Sequence, residues 1–357
     1  MRFTILLAVL ISGTLVGSQA QAQKVFVFGH ATQAFGQASD APQNGLGLDA
    51  TADMRAIALQ GRLAFLSTGT QFVVQGAHRR VGGSPIATLI DYVELDWLFA
   101  EQRLGDFSAR VGRIPIPKGL LNERRDVGTL LPFYQASKAF YTDGIETVDG
   151  ATARYTRSFA GFDLEAQAFG GEIPVVIVNS GNAIDEKGDQ TFGGQLTVGL
   201  PLQGARVLFG MLDSDVWIDS PLGPSTVELD WEFQWLSAEY QLEDFYARAE
   251  HSWSIVPTWQ QSRAYYVQAG ARVYDRLWLT GQREHESTRL LIEGPAQGYE
   301  YDAIKDWAIG ASFKFTPNLV LKAEQHFAEG YALDQPVDVF GPAVSNRYFL
   351  ISVAATF

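Results

Sequence analysis

The sequence predicts an all-β chain folded as a transmembrane antiparallel β-barrel of about sixteen strands, with short turns at one end and long loops at the other. Three observations predict it. Apolar and polar residues alternate with period two in run after run to the end of the chain, and the joints between runs are alternately short and long. The composition is rich in turn formers and aromatics, with 35 Gly, 23 Phe, 13 Tyr and 8 Trp, and it contains no Cys. Mean hydropathy is near zero, because alternation hides a lipid-facing side from any average. A chain that enters lipid without apolar helices must pair its backbone by closing a sheet. A soluble sandwich would show the same alternation, but the Pro and Lys that protect open sheet edges are scarce here.

The N-terminus reads as an export signal. Arg2 supplies a positive start, Ile5 to Val16 an apolar stretch too short to span a bilayer, and Ala20-Gln21-Ala22 a small-x-small cleavage site. Residues 1–22 are therefore expected as signal peptide and 23–357 as a single barrel domain. The short joints are at 67–70, 104–106, 160–161, 202–204, 242–244, 274–276 and 316–318, each with Gly, Asp, Asn or Pro suited to a tight hairpin. Longer connections are expected at about 38–50, 79–90, 118–143, 171–190, 217–226, 256–262, 286–301 and 329–347. Seven short turns and eight long loops require sixteen strands, with fourteen or eighteen as the neighbouring even numbers, and they bring both chain ends to the short-turn side.

Several runs show their two faces. In 92–102, Val93, Leu95, Trp97 and Phe99 alternate with Tyr92, Glu94 and Asp96; in 226–234, Val227, Leu229, Trp231 and Phe233 alternate with Glu228, Asp230, Glu232 and Gln234. The apolar sets are assigned to lipid and the acidic sets to the lumen, with a bulge or aromatic girdle expected at Trp235-Leu236. Phe245, Ala247 and Ala249 oppose Tyr246, Arg248 and Glu250, and Leu319, Leu321 and Ala323 oppose Lys322, Glu324 and His326. The last strand sets Phe349, Ile351, Val353, Ala355 and the terminal Phe357 on one face. That ending resembles the final strand of bacterial outer-membrane barrels, whose aromatic last residue serves as the assembly signal.

The most specific stretch is Gly112-Arg113, Pro117, Gly119-Leu120, Asn122-Glu123 and Arg125-Asp126-Val127, which runs from the fifth strand into the third and longest loop. With Thr142 to Ala151 and Lys322 to Gly330 it resembles the porin-like outer-membrane proteins of Gram-negative proteobacteria. Lys118 and Leu121 depart from that pattern, where bulkier apolar and aromatic residues respectively are more usual. The resemblance implies an outer-membrane location, a third loop folded into the barrel, a homotrimer, and lipid and the barrel-assembly machinery as partners.

A loop so placed would set Lys118, Arg124 and Arg125 opposite acids, with Glu123 and Asp126 beside them and Glu94, Asp96, Glu228, Asp230 and Glu232 on the wall. The alternative is that Arg124 and Arg125 form ordinary surface ion pairs with Glu123 and Asp126, contributing about 0–1 kcal/mol. Arg110, Arg154, Arg206, Arg248 and Arg272 fall near short turns on the lumen-facing phase. Salt bridging that stiffens the wall is preferred there over a basic ladder.

The net charge of −13 argues against nucleic acid, and with the acidic strand faces it gives an expectation of cation preference. There is no Gly-x-Ser-x-Gly, His-Glu-x-x-His or phosphate-binding loop motif, and His251 beside Ser252 or His285 between Glu284 and Glu286 are weak catalytic candidates. No enzyme, cofactor or metal is expected. The reading is a passive diffusion channel for ions and small hydrophilic solutes. The alternatives are a substrate-specific channel, for example for organic anions, and a plugged structural or adhesion barrel.

Overall fold

The computed structural model describes residues 23–90, 92–141, 145–179, 182–219, 226–292, 294, 296–335 and 337–357. The expected signal peptide, residues 1–22, lies outside the described residues, as do Thr142, Asp143 and Gly144. Sixteen strands follow in chain order: β1 Gln23–Ala38, β2 Thr51–Phe65, β3 Thr70–Val81, β4 Glu94–Leu104, β5 Phe107–Pro115, β6 Thr147–Phe159, β7 Phe162–Asn179 and β8 Asn182–Gly199. The second half comprises β9 Ala205–Asp219, β10 Thr226–Gln241, β11 Phe245–Val256, β12 Gln260–Tyr274, β13 Leu277–Leu290, β14 Glu300–Thr316, β15 Leu319–Gly330 and β16 Val344–Thr356. A helical turn, Ala87–Ile90, and a 3-10 turn, Asn122–Arg124, are the helical elements among the described residues.

Each strand pairs antiparallel with its sequence neighbours, and β1 pairs β16, so the sheet is a closed barrel. Closure leaves no edge whose peptide groups would lack partners in hydrocarbon. The seam is completed by reciprocal bonds of 3.0 Å between Gly29 and Phe357: each N–H donates to the other's carbonyl. The ring of Phe357 covers Gly29 on the outer face, where a Cβ at residue 29 would fall 2.1 Å from it.

The faces follow the pleat. Outward positions carry exposed apolar side chains, among them Ile57, Leu59, Phe72, Val267, Ile309, Phe327, Ile351 and Val353. Inward positions carry buried polar ones, such as Gln71, Gln75, Glu250, Gln268, Glu284, Glu324 and Ser352. This inversion of a soluble protein is what a lipid solvent imposes. The expected phases of Phe245 to Glu250, Leu319 to His326 and Phe349 to Phe357 match this arrangement.

Two strands depart from expectation. In β4, pairing jumps from Gln75↔Trp97 to Gly76↔Leu95, so Asp96 is the extra residue of a bulge and the phase shifts across it. Leu95 faces out, but Phe99 is buried inside with Arg110 stacked on its ring at 5.1 Å. In β10 the register runs unbroken from Thr226↔Asp219 to Tyr240↔Ala205, without the bulge expected at Trp235-Leu236. Its apolar members Leu229, Trp231, Phe233 and Trp235 face inward, and Asp230, Glu232 and Gln234 point outward. Asp230 and Glu232 are therefore corrected from lumen wall to outer face, where they pair in register with Asp215 and Asp213. The reason is packing: the aromatics of β10 are covered by the third loop from within, with Phe233 and Phe140 ring centroids 6.5 Å apart. The side chain of Glu228 lies outside what the structure describes.

The connection expected over 171–190 is instead sheet, since β7 and β8 remain paired to Asn179↔Asn182 around a bulge between Gly171 and Ile173. Within the barrel an apolar core forms between the third loop and inward residues of β3–β7, β9, β10 and β12, built from Ile114, Ile116, Leu121, Phe140, Leu212 and Trp235 among others. Trp235 is fully buried, lies across Gly210 and donates to Gln195 Oε1 at 2.8 Å. A Cβ at residue 210 would come within 2.2 Å of the indole, whereas one at Gly281 meets nothing within 4 Å. Gly210→Val is expected to cost at least about 1–3 kcal/mol of overpacking and to lower the unfolding temperature of the refolded barrel on heat-modifiability gels, with Gly281→Val close to wild type.

Candidate functional site

Between β5 and β6 the chain leaves the wall and crosses the interior. Its neck is tied by Ile116 N–H donating to Glu146 O at 3.0 Å, and by the Asn122 amide donating to the carbonyls of Ile116 and Glu146 at 2.9 Å each. Beyond the neck, inward carboxylates of the wall accept the loop's donors. Glu250 on β11 receives Leu120 N–H at 2.9 Å and the Tyr141 hydroxyl at 2.5 Å, besides Ser237 and Tyr266 hydroxyls at 2.6 Å. Glu284 on β13 receives the Ser137 hydroxyl and Ala139 N–H, and Glu324 on β15 receives Tyr134 N–H at 2.8 Å. Lys322 donates to Phe133 O at 2.6 Å. Non-helical backbone held inside a barrel needs such partners, since its peptide groups are otherwise orphaned.

The loop packs against one side of the lumen, and two cavities lie beside it. A vestibule of about 630 Å³ lies towards the long loops, lined by Arg79, Tyr134, Glu286 and Tyr301, and a chamber of about 320 Å³ is lined by His30, Gln60, Asp96 and Trp97. Arg125 and Asp126 line both.

Around that junction the charges are interlocked. Arg79 Nη1 lies 3.0 Å from Glu146 and 3.6 Å from Asp126, while its Nη2 reaches Glu94 at 3.0 Å. Arg125 meets the other Glu146 oxygen at 3.2 Å, and Asp96 accepts from the Gln75 amide at 2.6 Å. Burial would raise the pKa of Glu146, but Arg125 and Arg79 outweigh it and hold the carboxyl down at about 2.

The remaining sequence candidates separate into groups. Lys118 is 1% exposed, its Nζ 5.1 Å from the centroid of Phe233 and 5.8 Å from those of Phe140 and Tyr141, so it packs on the aromatic wall and does not line either chamber. Glu123 pairs with Arg110 at 3.3 Å, and Arg110 also with Glu101 at 2.9 Å. Arg154 pairs with Glu165, and Arg272 with Glu243 and Asp244 at the rim. Arg124, Arg206 and Arg248 converge on Glu239. Neither arginine of the loop pairs with Glu123 or Asp126 in the contacts described: Arg124 reaches Glu239 and Arg125 reaches Glu146. His251 packs edge-on against Trp253 on the outer face and Ser252 is buried on the inner, so pleat alternation separates that pair. His285 holds Asp302 at 2.6 Å, away from inward Glu284. Among the described residues no group of three His, Cys, Asp or Glu could hold a metal ion.

Sequence reasoning missed Arg79, Glu146, Glu239, Glu250 and Glu284 as site residues. Arg79 follows Gln71, Val73, Gln75 and Ala77 on the inward phase of β3, a signal available from alternation alone. The carboxylates carry no such mark, because their importance lies in what the distant loop offers them.

No protein-family model and no curated protein matches the chain in sequence. Solved structures do match. An in-vitro folded OmpT, an outer membrane protein of Vibrio cholerae in a trimer form, superposes with a TM-score of 0.60 at 13% identity, covering 94% of this chain and 100% of that one. The outer membrane channel DcaP of Acinetobacter baumannii gives 0.61 at 9%, covering 96% and 100%, and an anion-selective porin from Comamonas acidovorans 0.57 at 11%, covering 94% and 100%. At these identities the likeness is one of fold: a porin-like barrel of the outer-membrane type.

Glu250→Ala removes the acceptor of four donors, at about 1–3 kcal/mol for each left unsatisfied. Trypsin is expected to cut after Arg124 or Arg125 in the folded variant while wild type resists; equal resistance would count against anchoring by Glu250. Because the Glu146 pKa is lowered on folding, its stabilisation of the loop is complete above the ordinary value of 4.5 and is lost as pH falls towards about 2. In Arg125→Gln, protection of the loop against pepsin, which is active in this acid range, should fail at a higher pH than in wild type.

Proposed function

We propose that the chain is an outer-membrane diffusion channel for ions and small hydrophilic solutes, in which the third loop narrows the water path to the strip beside Arg125 and Asp126. The observation that carries this reading is that two water-accessible chambers, one towards the long loops and one below the third loop, share Arg125 and Asp126 as lining. Guanidinium and carboxylate groups fixed beside such a strip by Arg79 and Glu146 make a local field that orients polar solutes and filters ions. Export through a cleaved signal peptide at 1–22, recognition of Phe357 by the assembly machinery and association as a homotrimer belong to the same reading. Outward polar groups support a protein-covered side: Arg80 pairs with Asp53 at 2.6 Å and Arg55 lies 3.3 Å from His78 on the β2–β3 outer face.

A second reading, a barrel closed to solutes, draws on the apolar core that fills the opposite half of the lumen. Planar-bilayer recording of the refolded protein under a salt gradient separates the two. Stepwise conductance that rises linearly with salt is expected, with Arg125→Ala shifting the reversal potential towards cations and Asp126→Ala towards anions. Silence in wild type would favour the closed barrel, and conductance indifferent to both substitutions would remove them from the path.

A further inference from the structure

Below the third loop three arginines meet one carboxylate. Arg206 on β9 takes the short contacts to Glu239 Oε2, 2.6 Å from Nη2 and 2.9 Å from Nε. Arg124 of the loop and Arg248 of β11 approach the other oxygen only to 3.8 and 3.9 Å, too far for hydrogen bonds. Glu239 Oε1 and Arg248 Nε are both buried without a hydrogen-bond partner. The guanidinium of Arg248 is held over the Tyr246 ring at 4.8 Å. The side chains of Arg124 and Arg206 are 34% and 37% exposed. Arg206 and Glu239 line a cavity of about 870 Å³ on the short-turn side, together with Asp163, Glu165 and Glu243, whereas Arg124 lines the chamber of about 320 Å³ below the loop and Arg248 is buried between them.

The arrangement is not that of closed structural pairs. Elsewhere on the inner wall Glu101 serves Arg103 and Arg110, and Glu165 serves Arg154, at hydrogen-bonding distances. Here three cations share a single anion, which leaves two positive charges uncompensated within the cluster and N–H groups unmatched. Burial lowers the pKa of Arg124, and Arg206 and Arg248 add to that against the pull of Glu239. Planar forks with unmatched donors, Arg206 facing one cavity and Arg124 the next, are suited to oxyanions that can take two such forks at once.

We infer that Arg124, Arg206 and Arg248 form a subsite for small multivalent oxyanions, carboxylate or phosphate in chemistry, on the short-turn side of the third loop. It rests on the channel reading for the route by which the anion arrives, and on these three side chains for binding. Because Arg124 is carried by the loop, occupancy ties the loop to β9 and β11 through the anion, and Glu239 acts as a resident competitor.

Calorimetric titration of the refolded full barrel with citrate, and separately with inorganic phosphate, tests it without requiring conduction. Citrate should bind, more weakly as salt rises, and Arg206→Gln or Arg124→Gln should each weaken it by about tenfold or more. Glu239→Gln should do the opposite and tighten it, a change of sign that a merely structural cluster would not give. Arg124→Gln lies on the loop and leaves the wall intact, so it remains informative if a wall variant fails to refold. Absence of citrate and phosphate binding in wild type, or Glu239→Gln and Arg124→Gln shifting affinity in the same direction, overturns the subsite. Binding that behaves as expected in a protein silent in bilayers would count against the channel reading alone.

Discussion

In hydrocarbon a peptide group that lacks a partner cannot turn to water, and that constraint governs every other feature of this molecule. It demands that the sheet close, and here closure is the β1–β16 ladder finished by the Gly29–Phe357 pair. It also decides which side of each strand is apolar, since the usual relation between burial and polarity is reversed where lipid is the solvent. The same rule reaches the third loop. Once irregular backbone enters the barrel its donors must be met, and the wall meets them with Glu250, Glu284 and Glu324.

The loop then reshapes the interior. By bringing Leu120, Leu121, Phe140 and Tyr141 into the lumen it turns the inner face of β7, β9 and β10 into something close to the core of a soluble protein, while polar side chains and a cavity remain beside His30, Gln60 and Asp96. The molecule thus has two solvents outside it, lipid and water, and two environments inside it. On the charged side Arg79, Arg125, Glu146 and Asp126 hold one another in place.

What could be read from the sequence follows from this division. Phe349 to Phe357 and Leu319 to His326 were legible because their neighbours on each face are of one kind: lipid outside, and polar groups inside. The run 226–234 was not, because hydrophobicity alone cannot distinguish a side chain meant for lipid from one meant for a loop folded inside, and Trp231 and Phe233 belong to the second kind. With Asp230 and Glu232 turned outward, part of the ground for a cation-favouring lumen also goes. The face of Phe99 was hidden by a one-residue bulge at Asp96, whose signature is geometric and leaves no trace in alternation. Joints could be placed by their Gly, Asp, Asn and Pro, except at 171–190, where polar residues continue a hairpin. The loop's acceptors were beyond reach because each is a contact between segments more than a hundred residues apart, as with Leu120 and Glu250.

The length of β7 and β8 has a further consequence. Each runs for 18 residues, whereas a tilted strand needs about 9–11 to cross a bilayer. With β9 and β10 beside them they continue past the hydrocarbon as a ladder-bonded collar, and the outward acids of β9 and β10 mark that change of surroundings. β14, with 17 residues, rises on the opposite flank, so the sheet stands above the hydrocarbon at more than one point of the rim. A ladder resists the bending that a loop permits, so where the strands continue past the hydrocarbon the rim is held by paired backbone rather than by loop contacts.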